Sequence, residues 1–218
     1  MNQHNFAAMR EAMIVSQLRT SAVSDPRVIA AFQAVPRESF VPDARAALAY
    51  VDIAIPLDDG RALNAPLATA RLMNEAGIAP TDHVLLIGAA TGYATAVLSA
   101  LAADVVAVEE SESLAKSAKA QLKAFANVTL INGGLVAGSK KQAPYDVIMI
   151  DGAVEHVPDA IIAQLKVGGR LVTGLVERGV TRLASGHKSA GGFGLVPFID
   201  MDCVVLPGFA KVKVFSFA

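Results

Sequence analysis

From Val84 onward the chain alternates between short, almost purely apolar runs and segments with helical patterning. That alternation constrains the fold more than any other feature. "HVLLIG", "DVVAVEE", "VTLING", "YDVIMIDG" and "GRLVTGL" read as strands, and strands apolar on both faces must be covered from both sides. "GYATAVLSALA", "SESLAKSAKAQLKAFA" and "VPDAIIAQL" read as the covering helices, the second with lysines along one side. Strands and helices taken in turn predict an α/β fold with a doubly wound, mostly parallel sheet of about seven strands. The tail pieces "FGLVPFIDMDCVVLP" and "AKVKVFSFA" have no helix between them, so an antiparallel pair is expected to finish the sheet. "SGHKSAGGFG" reads as a polar, glycine-rich turn beside them.

Upstream of the alternation the pattern is helical. "FAAMREAMIVSQL" places Phe6, Met9, Met13 and Leu18 near helical spacing. "SDPRVIAAFQAV" opens with Asp25 as N-cap and Pro26 at the first helical position, and Pro36 closes it. "PLATARLMNEAGI" is a helix ending at Gly77. "AYVDIAIPLDDGRALNAP" reads as loops and short strands. The expected division is an N-terminal helical, substrate-side segment over 1–80 and a core over 81–218.

Composition narrows the partners. A net charge of −1 gives no general attraction to nucleic acid or anionic lipid. A single cysteine, Cys203, excludes an internal disulfide and suits a buried thiol. No apolar run is long enough to span a bilayer, and "MNQHNFAAMREAM" lacks a basic-then-apolar signal pattern, so a cytoplasmic protein is expected. Oligomeric state is not legible.

In an open parallel sheet, ligands bind outside the carboxyl ends of the strands where the strand order reverses. Four such ends carry polar or glycine residues: Ile87-Gly88, Glu109-Glu110, Asn132-Gly133-Gly134 and Ile150-Asp151-Gly152. Glu109 follows Gly88 by 21 residues, the spacing expected of an acid that accepts from ribose hydroxyls; the alternative is an ordinary strand-end acid. The loop Gly88-Ala89-Ala90-Thr91-Gly92 is G-x-x-x-G, and no lysine follows it to hold a phosphate. A nucleoside cofactor without a crucial phosphate fits better than ATP or NAD, and S-adenosylmethionine is of that kind.

These and further segments together resemble the protein-L-isoaspartate O-methyltransferase family along nearly the whole chain. The carrying residues are "DPRVIAAFQAVPRESFVP" from Asp25, "AYVDIAIPLDDGRALNAP" from Ala49, "VLLIGAATGYATAVLSAL", "VVAVEE", "APYDVIMIDGA" and "LKVGGRLV". The resemblance implies a Rossmann-like class I methyltransferase fold with an N-terminal helical addition. It implies a methyl transfer from S-adenosylmethionine to the α-carboxyl of an isoaspartyl residue in a damaged protein or peptide, a step in protein repair. The cofactor positions it implies are Gly88, Ala90, Gly92, Glu109 and Gly134; Asp151, next along the crevice, is a candidate from its strand-end place, since its counterpart in the family is usually small or uncharged.

Several positions depart from the family pattern. An acid becomes Leu86, a glycine becomes Ala90, and an aspartate that would accept the adenine amino group becomes Gly134. If Ala90 must be left-handed it costs about 1–2 kcal/mol, and a lost hydrogen bond costs about 0.5–1.5 kcal/mol. Together they imply cofactor affinity lower by roughly a hundredfold or more, at about 1.4 kcal/mol per factor of ten. Asn64 stands where the family places a serine that holds the substrate carboxylate; it reads either as a substitute donor or as a turn residue beside Pro66. Asp151 reads as a ligand contact; a lone carboxylate is not a metal site, and none is assigned. Gly88, Glu109 and Asp151 are expected in one crevice with Asn64 at its rim. Three functions remain open: an isoaspartyl methyltransferase that is weak or inactive, a non-catalytic relative acting as a binding or assembly module, and a methyltransferase with a changed substrate.

Overall fold

The computed structural model describes residues 5–211. Its centre is a seven-stranded sheet in the order β5-β4-β3-β6-β7-β8-β9. The strands are β3 (His83–Ile87), β4 (Asp104–Glu109), β5 (Val128–Asn132), β6 (Tyr145–Val154), β7 (Leu165–Glu177), β8 (Val180–His187) and β9 (Val196–Asp200). β3 pairs in parallel with β4 and with β6, β4 with β5, and β6 with β7, while β8 and β9 add antiparallel strands. β3, β4 and the centre of β6 are buried along nearly their whole length, as apolar strands covered on both faces must be. This is the class I methyltransferase arrangement expected from the sequence.

The helices form where their end signals stand. α2 (Pro26–Ala34) begins at Asp25, whose side chain accepts the Arg27 backbone N–H. α3 (Pro66–Ala76) ends at Gly77, left-handed at φ 55°. α5 (Glu112–Gln121) is capped by the Ser111 side chain, and α4 (Tyr93–Ser99) starts from Gly92. α1 (Phe6–Met13) runs into one π-helical stretch, Ile14–Leu18. One apolar cluster joins Met13, Leu18 and Phe32 from this region to Leu72, Val84, Tyr93 and Val105, so the N-terminal helices are packed onto the sheet.

Two parts differ from the sequence reading. "VPDAIIAQL" forms only the single-turn helix α6 (Asp159–Ile162), because Leu165 already pairs with Tyr145 at the start of a long β7. The antiparallel partner of "VPFID" is β8, "VTRLASGH", across the glycine-rich turn; exposed and intermediate residues along it obscure its alternation. The expected partner "AKVKVFSFA" lies outside the described residues from position 212 onward. "DCVVLP" is not a strand but an extended segment that crosses the strand ends. A separate two-stranded hairpin, β1 (Ile55–Pro56) with β2 (Ala62–Leu63), stands in front of the main sheet. Among the described residues no helix is long and apolar enough to cross a membrane.

Candidate active site

Register brings the strand-end residues into one row. Ile87 lies opposite Val108 on one side and Ile150 on the other, so the next residues, Gly88, Glu109 and Asp151, emerge side by side. Asn132 lies opposite Glu109 one strand further out. The chain leaves β3 toward β4 and β5, then returns to β6 on β3's other side, so the row sits at the strand-order reversal.

The loop after β3 is built from alternating left-handed residues. Gly88, Ala90 and Gly92 have φ of 85°, 49° and 100°. Gly88 and Gly92 suit that geometry, whereas Ala90 carries a Cβ into it at a cost of about 1–2 kcal/mol. The strain at Ala90 therefore does exist. It is partly offset by a bond from the Ala90 N–H to Glu109 Oε2 at 2.7 Å. Leu86, where the family carries an acid, is wholly buried in the sheet core. Gly134 follows β5 with an ordinary φ of −62° and has open space around it. It follows Asn132 and Gly133 at the end of β5, a strand at the edge of the sheet.

Glu109 is completely buried and fully partnered. Oε1 accepts from Arg61 Nη1 at 2.5 Å and from the Ser111 N–H at 3.0 Å, and Oε2 accepts from Ala90. Arg61, just before β2, reaches in with only 5% of its side chain exposed. Its Nη2 stands 3.7 Å from where a Cβ on Gly88 would be. Leu206, from the segment after β9, completes the cover: its Cδ1 lies 3.0 Å from the same point, and a Cβ on Gly152 would collide with it.

Asp151 anchors a second cluster. Its Oδ1 accepts from Asn64 Nδ2 at 2.9 Å and Thr69 Oγ1 at 3.0 Å. Burial pushes the Asp151 carboxyl above the usual range, although these bonds pull the other way. Asn64 is itself buried, and its Oδ1 accepts the Val204 N–H at 2.8 Å. Both ends of the Asn64 amide are thus engaged within the protein. Asn64 also borders a cavity of about 540 Å³ shared with Asp52, Thr181, Asp202 and Cys203. Cys203 is partly exposed as a residue, but its thiol is enclosed as expected: burial pushes its pKa up, and its Sγ sits 3.5 Å from Asn64 Oδ1. Arg37 is entirely buried, donates to the Asn64 carbonyl at 2.5 Å, and lies 4.6 Å from the centre of the Tyr93 ring. Burial lowers its pKa. His156 is held by its Nδ1 at the Phe209 carbonyl, 3.0 Å away. Among the described residues no group of three or more His, Cys, Asp or Glu is placed to hold a metal.

Whether this site fits S-adenosylmethionine has two answers. The strand-end row supplies a glycine turn and an acid of the right kind. The space does not fit in this arrangement: Arg61 takes the face of Glu109 that a ribose would need, and Leu206 covers Gly88 and Gly152. Sequence reasoning missed Arg61, Leu206, Arg37 and Thr69. Arg61 lies inside the quoted "DDGRALNAP", but nothing local marks it as the partner of an acid 48 residues on.

Comparison with known proteins agrees with the fold. The family model "Protein-L-isoaspartate(D-aspartate) O-methyltransferase" matches residues 9–195. A protein-L-isoaspartate O-methyltransferase of Koribacter versatilis is 38% identical over 205 residues, covering 93% of this chain and 92% of its own. One from Methylorubrum extorquens is 36% identical over 202 residues, covering 89% of each. A solved protein-L-isoaspartate O-methyltransferase superposes with a TM-score of 0.79 at 28% identity over 91% of this chain, which spans 66% of that one. A Plasmodium falciparum structure described as a complex with S-adenosyl-L-homocysteine shares the fold, with a TM-score of 0.75 at 17% identity over 94% of this chain and 99% of its own.

Proposed function

The chain belongs to the protein-L-isoaspartate(D-aspartate) O-methyltransferase family, and from that premise we propose that it methylates the isoaspartyl carboxylate of a protein or peptide, with S-adenosylmethionine as donor. The observation that carries this reading within the chain is the strand-end row, where Gly88, Glu109 and Asp151 emerge in register at the sheet's reversal point. Such chemistry asks little of acids and bases. A carboxylate is already nucleophilic and a sulfonium methyl is already activated, so the protein's part is alignment and exclusion of water.

The residues divide accordingly. Gly88, Ala90, Gly92 and Glu109 form the nucleoside side of the crevice, and Gly134 lies toward its adenine end. Asn64 walls the substrate side, facing the cavity with Asp52 and Thr181. Its amide is fixed by Asp151 and Val204, so it shapes that wall rather than reaching out to the substrate. Asp151, with Thr69 and Arg37 around it, is a buried support beneath the crevice.

A second reading, a relative with the fold but little turnover, is favoured by one observation: Arg61 and Leu206 stand in the crevice. The deciding experiment incubates the full chain with an isoaspartyl peptide and methyl-labelled S-adenosylmethionine. Base-labile label on that peptide, and none on its aspartyl counterpart, is the expected result. A folded protein that transfers no label to any isoaspartyl peptide would overturn the proposal.

A further inference from the structure

Two segments far apart in the chain meet over Gly88, and neither belongs to the main sheet. The first is the β1–β2 hairpin. Its turn is tight, with Asp59 and Gly60 left-handed at φ 55° and 68°. Its tip is latched to the start of α5, where Asp59 Oδ2 accepts from Ser111 Oγ at 2.5 Å and from Ser113 Oγ at 2.9 Å. Arg61 inserts behind that latch onto Glu109. The second is the extended segment 203–209. It is tied to β6 by a single bridge, with the Ala153 N–H donating to the Val204 carbonyl at 2.7 Å and the Leu206 N–H to the Ala153 carbonyl at 2.9 Å. Leu206 and Phe209 are buried from this segment, while Val205 between them is 58% exposed.

We propose that these two segments form a self-closing gate over the cofactor crevice, in which Arg61 stands in for the ribose at Glu109 and Leu206 fills the space above Gly88 and Gly152. The inference rests on the methyltransferase reading above. Glu109 cannot receive a ribose while Arg61 Nη1 is 2.5 Å from its Oε1, and nothing can approach the Gly88 backbone through Leu206. Both obstacles are removable without opening the sheet. The hairpin is a separate two-stranded piece, and the 203–209 segment holds by its bridge to β6, by the Cys203 and Val204 N–H groups on Thr181 and Asn64, and by the Phe209 carbonyl at His156, bonds that can break while the parallel strands stay paired. Cofactor affinity is then the intrinsic affinity reduced by the fraction of molecules with the gate open. Weakening the gate raises that fraction and tightens binding.

The test titrates S-adenosylhomocysteine into the full-length protein and into Arg61→Ala, Leu206→Ala and the double variant, by calorimetry. The expected result is a dissociation constant at least tenfold lower in the double variant. Because Arg61→Ala bares a buried carboxylate and can unfold the chain, hydrogen exchange on the unmodified protein gives an independent readout. Saturating S-adenosylhomocysteine should speed exchange at the Val204 and Leu206 amides and across 57–63, and slow it at Ala90. The gate is refuted by folded variants that bind no tighter than the original. Ligand that binds while 57–63 and 203–209 stay as protected as before also refutes it, and so does a protein with no affinity in any folded form. Failure of the two proposals is separable. Peptide methylation by the unmodified protein with unchanged variant affinities removes the gate alone. Tighter binding in the variants without methylation of any isoaspartyl peptide removes the assigned reaction alone.

Discussion

Arg61 and Glu109 form an ion pair with 2.5 Å between Nη1 and Oε1, both side chains almost wholly shielded from water. A buried pair of this kind is costly to break from one side, because the remaining charge has lost both partner and solvent. Glu109→Ala is expected to destabilise the fold by about 3–5 kcal/mol, the usual cost of orphaning a buried charge. Adding Arg61→Met to it should recover a substantial part, with a coupling of roughly 1–3 kcal/mol between the positions. Chemical denaturation of the two single variants and the double variant gives the cycle; strict additivity would show that the pair is not formed in solution.

Asp151 makes stability depend on pH. Burial raises its folded-state pKa above the unfolded value, so ionisation is harder in the fold. The stability this group contributes is therefore fully present below the unfolded pKa, about 4, and is lost as pH rises through the raised folded value. Asp151→Asn keeps an acceptor for Asn64 and Thr69 and removes the titration. Thermal melts of both proteins from pH 4 upward should converge at the acid end and diverge toward neutrality, with the variant the more stable. Parallel curves would remove this account.

Ala90 is left-handed and buried, two facts with opposite consequences. Ala90→Gly relieves about 1–2 kcal/mol of strain. It also loses one buried methyl, roughly 0.8 kcal/mol, and adds backbone entropy to the unfolded chain, about 0.5–1 kcal/mol. The expected net change is within about 1 kcal/mol of zero by the same terms. Ala90→Val, branched at Cβ, should destabilise by more than the glycine variant stabilises. Equal melting temperatures for all three proteins would show that this loop is not held in the left-handed geometry.

Gly152 reports on the segment above it. A Cβ there collides with Leu206, so Gly152→Ala should either overpack the contact, at about 1–3 kcal/mol, or lift the segment off. Combining it with Leu206→Ala removes the clash, and the double variant should be less destabilised than the sum of the two single changes. A fully additive result would place Leu206 elsewhere in solution.

Much of the frame was legible because it rests on local signals. Asp25 and Gly77 mark helix ends by side-chain and backbone geometry that needs no tertiary partner, and each stands at the end it foretold. The apolar runs of β3, β4 and β6 declare strands covered on both faces. β8 was not legible, since a strand near the sheet edge with mixed exposure lacks a clean alternation. The short α6 was over-read because its helical pattern competes with long-range pairing of Leu165 to Tyr145.

The sequence by itself determined the parallel strands of the sheet, most of the helices and the row of strand ends, since periodicity and end signals act over a few residues. Only the tertiary structure decided what faces that row. Glu109 meets Arg61 across 48 residues, Asn64 meets Asp151 across 87, and Leu206 comes to rest on Gly88 from the far end of the chain. Ion pairing and packing act through space between groups that no local pattern links, so a sequence shows that a carboxylate is present but not which cation neutralises it.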